Sequence, residues 1–198
     1  MSTVALPEPR GTSALRGLAL VALALILASC GGGGSSAPST ASPVTAAGAM
    51  LSVSSPELSS GRFARDLTCD GADRSPRVTW QQPPAGTGAV VVELIDPDAP
   101  GGAFVHWLLA GDGADPGAMQ LPAPAGAFQE GRNGFGKSGY GGPCPPPGST
   151  HHYRLSVSAY SAGLRLRTGF ERAALDAAVA ATAAHLLARG EVVATYGR

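Results

Sequence analysis

The sequence predicts a mostly β domain of the α+β class over residues 49–198, closed by one C-terminal helix. Three observations carry this. The apolar runs AVVVELI (89–95) and FVHWLLA (104–110) have strand length and are bounded by turn residues. From His152 to Tyr160 the pattern has period two, with Tyr153, Leu155, Val157 and Ala159 on one face and Arg154, Ser156 and Ser158 on the other. Only one stretch has helical period, and 28 Gly with 17 Pro in 198 residues argue against a helical bundle.

The first 48 residues are a different kind of chain. Arg10 and Arg16 precede a twelve-residue apolar run, Gly17 to Ala28, too short to span a bilayer core of about 20 residues. The run ends in Leu27-Ala28-Ser29-Cys30, which resembles a bacterial lipobox with Cys30 as the acylated first residue of the mature protein. Residues 1–29 therefore read as a lipoprotein signal peptide. Residues 30–48, beginning GGGGSSAPSTASP after Cys30, read as a flexible tether. Gly31 is not the Asp that retains lipoproteins at the inner membrane. The expected location is the bacterial cell envelope, with the protein exported and lipid-anchored to the membrane.

Within the domain, Met50–Ser54 and Arg77–Trp80 are short strand candidates. Ala89–Ile95 is nearly continuous in apolar character, as in a strand buried on both faces. Phe104–Ala110 is a further buried run, and the alternating strand follows it. Thr168 with Glu171 fits a capping box. Leu175, Val179, Thr182 and Leu186 then share a helical face, Arg189 falls in the last turn, and Gly190 stands at C′. Glu191–Tyr196 is the expected final strand. About 150 residues bury roughly 68–70% of their unfolded surface, enough for one core.

Charge excludes one class of partner. Basic and acidic residues number 14 each, Lys137 is the single lysine, and no basic stripe is present, so nucleic acid is not expected. Residues Gly131–Ser138 (GRNGFGKS) fit the P-loop pattern letter for letter. A P-loop needs a strand leading in and a helix leading out. Here GYGGPCPPPG follows, and its four prolines and four glycines cannot open a helix. The segment reads as a glycine-rich surface loop.

Three other segments carry chemistry. Asp96-Pro97-Asp98-Ala99-Pro100 follows directly on the buried run, His106-Trp107 lies inside the next one, and GGPCPPPG leads into His151-His152-Tyr153. Taken singly, each has an ordinary explanation: a solvated turn, a core histidine, a rigid loop with solvent-facing histidines. Taken together and in order, they resemble the phosphatidylethanolamine-binding protein (PEBP) family, in its bacterial Raf-kinase-inhibitor-like branch. Asp66-Leu67-Thr68-Cys69-Asp70-Gly71 with Ser75-Pro76 and Trp80, and Arg132-Asn133 through Phe135-Gly136 to Gly139-Tyr140, extend the resemblance over nearly all of 49–198.

The resemblance implies an antiparallel β-sandwich with short peripheral helices and a small site for phosphate-type anions or phospholipid headgroups. It places Asp96, Asp98, His106, Cys144, Pro145, Pro146, His151 and Tyr153 around that site. The chain departs from the family at His152, where Arg is usual. Carboxylates that accept a proton from the ring nitrogens would orient the histidines and favour imidazolium toward the anion. The resemblance also brings Cys69 and Cys144 to one end of the domain, either bridged as an exported protein allows or as two buried free thiols. Asp and His at a site also suit a metal or acid–base hydrolase. The chain lacks an HExxH helix, a Cys/His zinc spacing and a G-x-S-x-G elbow, so the expectation is a binding protein without catalysis, metal or cofactor. An inhibitor-like interaction protein, acting on a protease or kinase, is the alternative.

Overall fold

The computed structural model describes residues 48–112, 119–120 and 128–198. The expected signal peptide, Cys30 and the expected tether up to residue 47 lie outside the described residues. Among the described residues there are nine strands and one α-helix: β1 (Ala49–Met50), β2 (Val53–Ser54), β3 (Thr79–Trp80), β4 (Ala89–Asp96), β5 (Phe104–Asp112), β6 (Met119–Gln120), β7 (Gln129–Glu130), β8 (Thr150–Tyr160), α1 (Arg172–Ala181) and β9 (Leu186–Gly197). Single 3-10 turns cover Pro56–Leu58 and Arg65–Leu67. Six strands form one sheet in the order β1-β9-β8-β4-β5-β7, and β2-β3-β6 form a second. All strand pairings are antiparallel except β1 with β9.

The near-continuous apolar character of β4 has the expected cause. Val90, Val92 and Leu94 pack with Trp80, Trp107, Tyr153, Leu155 and Val157 on one face. Ala89 and Val91 pack with Leu108, Leu164, Phe170 and Leu175 on the other, beneath α1. At about 25 cal/mol per Å² of apolar surface removed from water, these two layers are the main drive to fold. The alternation in β8 also holds, with Tyr153, Leu155, Val157 and Ala159 all in the first layer.

The C-terminal helix is shorter and later than its periodicity predicts. It begins at Arg172, and Glu171 is its N-cap without a side-chain capping bond. Thr168 is no cap: its N–H and hydroxyl both donate to Gln129 Oε1. The helix stops at Ala181, where the Thr182 hydroxyl donates back to the Ala178 carbonyl and Ala183 turns left-handed at φ 50°. Leu186, Arg189 and Gly190 are strand residues, because the end of β8 needs a hydrogen-bonding partner and β9 starts at the Tyr160–Leu186 pair to supply one. Gly190 is required for a different reason from a helix C′ position. A Cβ there would lie 1.8 Å from the Leu51 carbonyl oxygen, so only glycine lets the 51–53 segment lie against β9.

The segment containing Cys69 is fastened to the loop containing Cys144 in four ways. The two sulfurs are bonded, with Cα atoms 5.5 Å apart. The Cys69 N–H donates to the Pro143 carbonyl (3.2 Å), the Gly142 N–H to Asp73 Oδ1 (2.6 Å), and the Tyr140 hydroxyl to the Leu67 carbonyl (2.6 Å). A Cβ on Gly142 would sit 2.4 Å from the Leu67 oxygen, so this close approach also needs glycine.

The bridge closes a separation of 75 residues. The chain-entropy model predicts that the Cys69→Ser/Cys144→Ser double variant loses about 4 kcal/mol of unfolding free energy. Urea unfolding of oxidised wild type against the variant measures it. Thiol labelling of the unreduced, denatured wild type should find neither cysteine.

Candidate functional site

The site is assembled where β4 leaves the sheet and β8 enters it. The β4–β8 pairing ends at Ile95–Arg154. Beyond it, Asp96 Oδ1 accepts the N–H of Asp98 at 2.8 Å, the side-chain turn that an Asp-Pro-Asp string favours. That turn sets two carboxylates against the first residues of β8. Asp96 Oδ2 contacts His151 Nδ1 at 2.8 Å, and both residues are buried, at 3% and 8% exposure. Asp98 Oδ2 accepts both the main-chain N–H of His152 and a contact from its ring Nδ1, each at 2.8 Å, in the open. These bonds from His152, the main-chain one first, hold the Asp98 carboxyl below the usual carboxylate range. Successive histidines in a strand point to opposite faces. The turn nevertheless provides a carboxylate for each.

His106 reaches the site through an irregularity. In the β4–β5 ladder Leu94 pairs with Trp107 and Ile95 with Val105, so His106 is the extra residue of a bulge. Regular alternation would put it with Leu108 and Ala110 under α1. Instead its ring packs edge-on against Tyr153, with centroids 5.2 Å apart, in the opposite layer. Its Nδ1 lies 2.7 Å from the Gly141 carbonyl, and the Gly141 N–H donates back to the His106 carbonyl at 2.9 Å. Phe104 and Phe135 flank the ring at centroid distances of 4.9 and 5.5 Å. Phe135 is 48% exposed, which makes one lip of the site apolar.

Burial pushes the His106 ring below the ordinary histidine range, against the opposing pull of the Gly141 carbonyl and of the Asp96 and Asp73 charges. This corrects the expectation of an imidazolium at His106: at neutral pH the ring is uncharged. Burial first, then the Asp96 carboxylate, raises the Tyr153 hydroxyl well above its usual range, so it stays protonated. Among the described residues that hydroxyl makes no hydrogen bond of good geometry, its nearest polar neighbour being the Asp96 carboxylate, although Tyr153 is only 1% exposed.

The residues expected at the site are distributed unevenly. Asp96, His106, His151 and Tyr153 form the buried group, and Asp98 with His152 forms an exposed pair beside it. Pro145 is buried, Pro146 is exposed, and the Cys144 sulfur is committed to Cys69, so Cys144 contributes only main chain. Sequence reasoning missed several supports. Gly141 holds His106, Asp73 holds Gly142, and Asp70 binds the Tyr196 hydroxyl at 2.7 Å and Arg198 Nε at 3.1 Å. Arg198 Nη1 also reaches the Pro145 carbonyl at 3.5 Å. Phe104 was within reach of the pattern, two residues before His106. The glycine-rich GRNGFGKS segment is a turn closed by an Arg132–Ser138 bridge, with Asn133 Oδ1 accepting the Phe135 and Lys137 N–H groups, and no helix follows it.

Residues 54–197 match the family model described as phosphatidylethanolamine-binding protein. The chain belongs to the phosphatidylethanolamine-binding protein family. Among its relatives is a Mycobacterium tuberculosis protein named "Putative lipoprotein LppC", 35% identical over 168 residues that span 77% of this chain and 83% of that one. A UPF0098 protein of Aquifex aeolicus is 34% identical over 162 residues, 78% of this chain and 92% of the relative. The crystal structure of Escherichia coli YbcL, titled a new member of the mammalian PEBP family, superposes with a TM-score of 0.66 at 27% identity. It covers 76% of this chain and 99% of YbcL. The mostly β fold with one helix is thus that of a bacterial PEBP-family member.

The neutral His106 ring has a consequence for stability. Its native pKa lies below the unfolded value near ~6.5, so the native state binds fewer protons as pH falls through that window. The ring's contribution is complete above about pH 6.5 and is lost as pH falls through the depressed native value. Urea unfolding at stepped pH should show a shallower decline over this range for His106→Gln than for wild type.

Proposed function

We propose that this protein is an envelope-anchored binding protein, tethered through acylated Cys30, that holds a small phosphate-type anion or phospholipid headgroup at the Asp96–His106–His151–Tyr153 site. The observation that carries this reading is the buried, hydrogen-bonded Asp96–His151 pair beside a buried Tyr153 hydroxyl that makes no well-formed hydrogen bond among the described residues. A buried hydroxyl without a partner costs about 1–3 kcal/mol, which a bound polar ligand would offset. The carboxylate fixes one ring nitrogen of His151 and frees the other for a ligand. The glycine-proline loop, clamped at Cys69, Asp73 and Leu67, keeps the site in one shape and lowers the ordering cost of binding. The lipobox at Cys30 and the lipoprotein name of the mycobacterial relative support the anchor. We further propose that the site binds without turnover, since none of these groups is paired as a nucleophile with its base.

Titration calorimetry with phosphorylethanolamine should give saturable one-site binding. His151→Ala or His106→Ala should weaken it by roughly 10- to 100-fold, the loss of one or two polar contacts, with the far-ultraviolet spectrum unchanged. His152→Arg, on the exposed pair, should change affinity less. Undiminished binding in both alanine variants would place the ligand elsewhere.

For the anchor, the native protein should partition into detergent with a modified N-terminal cysteine, and Cys30→Ala should release it or block maturation. Two or three acyl chains suffice for stable attachment. A soluble wild-type protein with an unmodified N-terminus would rule the anchor out.

A further inference from the structure

The six-stranded sheet ends on one side in β1 and on the other in β7. The chain coming from Cys30 enters the domain at β1, where Ala49 and Met50 pair in parallel with Ala188 and Arg189 of β9. Alternate residues of a strand face opposite ways. Ala188, Val192 and Ala194 of β9 turn inward to the core. Arg189, Glu191, Val193 and Thr195 therefore turn outward. Register puts Met50 beside Arg189 and Arg62 beside Thr195 on that outward side.

This edge is apolar and cationic together. Of the four large apolar side chains exposed among the described residues, Met50 (88%), Val193 (44%) and Leu186 (36%) stand on β1 or β9, and Phe135 alone stands elsewhere. Scattered exposed apolar residues need no explanation, but three at the one edge where the chain enters mark a contact surface. Arg62 meets no carboxylate among the described residues, and Arg189 donates to the neutral Ser156 hydroxyl at 3.0 Å. Glu191, the one carboxylate among these outward positions of β9, is already answered by Arg154 at 3.3 Å. Exposed apolar side chains flanked by uncompensated cations match the boundary between acyl chains and anionic headgroups.

We infer that the β1–β9 edge is the face on which the anchored domain rests against an anionic bilayer, with Met50, Val193 and Leu186 at the acyl boundary and Arg62 and Arg189 toward the headgroups. The inference rests on the reading of Cys30 as the lipid anchor and is independent of the Asp96–His151 site. The edge alone is too small to hold a free protein at a membrane. Tethering removes that limit. From Cys30 to Gly48 are 18 residues (48 − 30). A Gly/Ser-rich chain of that length has an r.m.s. span of about 23 Å, so the edge it joins meets the headgroups at roughly millimolar effective concentration.

The experiment uses the full-length acylated protein in vesicles of phosphatidylglycerol and phosphatidylcholine. With Cys69 bonded to Cys144 and Cys30 acylated, no free thiol remains, so single fluorophores can be placed through Met50→Cys, Val193→Cys and Ser138→Cys, the last in the exposed turn after β7. Lipids carrying a nitroxide near the headgroup should quench the labels at 50 and 193 at least about threefold more than the label at 138, and aqueous iodide should do the reverse. Arg62→Gln should lower membrane contact of the label at 50 about fivefold, the share of one cation at an anionic surface. Hydrogen exchange of the unsubstituted protein should be slower over 49–51 and 191–193 on these vesicles than on phosphatidylcholine alone. Equal quenching at 50, 193 and 138 in acylated protein would overturn the inference and leave the anchor standing. Protection of 50 and 193 from both quenchers would also overturn it, since a second copy or another segment of the chain would then cover the edge. An unmodified Cys30 by mass spectrometry would bring down the anchor and the inference together.

Discussion

The carboxylate of Asp96 is buried to 3% exposure, and an ionised group in that position is tolerated only if its oxygens are hydrogen-bonded and its charge is answered. The surrounding geometry follows from this requirement. Asp98 must fold back so that its N–H reaches one oxygen, which needs the turn that Pro97 begins. His151 must stand opposite the other oxygen, which fixes where β8 enters the sheet relative to the end of β4. Once β8 is so placed, His152 necessarily faces the exposed Asp98, and Tyr153 faces inward toward His106. One buried charge thus sets the register at the end of β4 and β8.

Around that pair, the protein has made the site from main chain as much as from side chains. The bulge in β5 moves His106 across the sheet, and the Gly141 carbonyl then chooses its tautomer. Gly141 can do this only because the loop after Tyr140 lies close to the 65–74 segment, where a side chain at position 142 would collide with main chain. The disulfide, Asp73 and Tyr140 hold that approach from three directions. On the opposite face, Arg172 of α1 reaches the buried Glu93 of β4, so the helix is positioned by an ion pair as well as by Leu175. A half-exposed arginine on a buried carboxylate orients more than it stabilises.

Two Asp–His pairs of like composition therefore have different characters. Asp96–His151 is enclosed and keeps its geometry independent of solvent. Asp98–His152 is open, with side chains 42% and 61% exposed, and is weakened by salt and water. The first is part of the buried group and the second lies at its exposed rim. Phe135, exposed beside them, gives that rim an apolar edge.

Much of this was legible in the linear sequence. Burial of β4 on both faces and the alternation of β8 could be read directly, because hydrophobic period depends only on which residues must leave water. The failure of the P-loop pattern and the grouping of Asp96, Asp98, His106, His151 and Tyr153 were also visible as proline content and motif order. What the sequence could not decide were matters settled by long-range partners. The helix periodicity through Leu186 was real but lost to the unpaired end of β8, since a strand edge gains more from a ladder than an alanine-rich segment gains from another helical turn. Gly190 looked like a helix stop because the carbonyl of Leu51 that requires it is far away in sequence. The charge state of His106 was misjudged for the same reason. Neighbouring carboxylates suggested an imidazolium, but burial, a product of the tertiary fold, outweighs them and the Gly141 carbonyl and leaves the ring neutral.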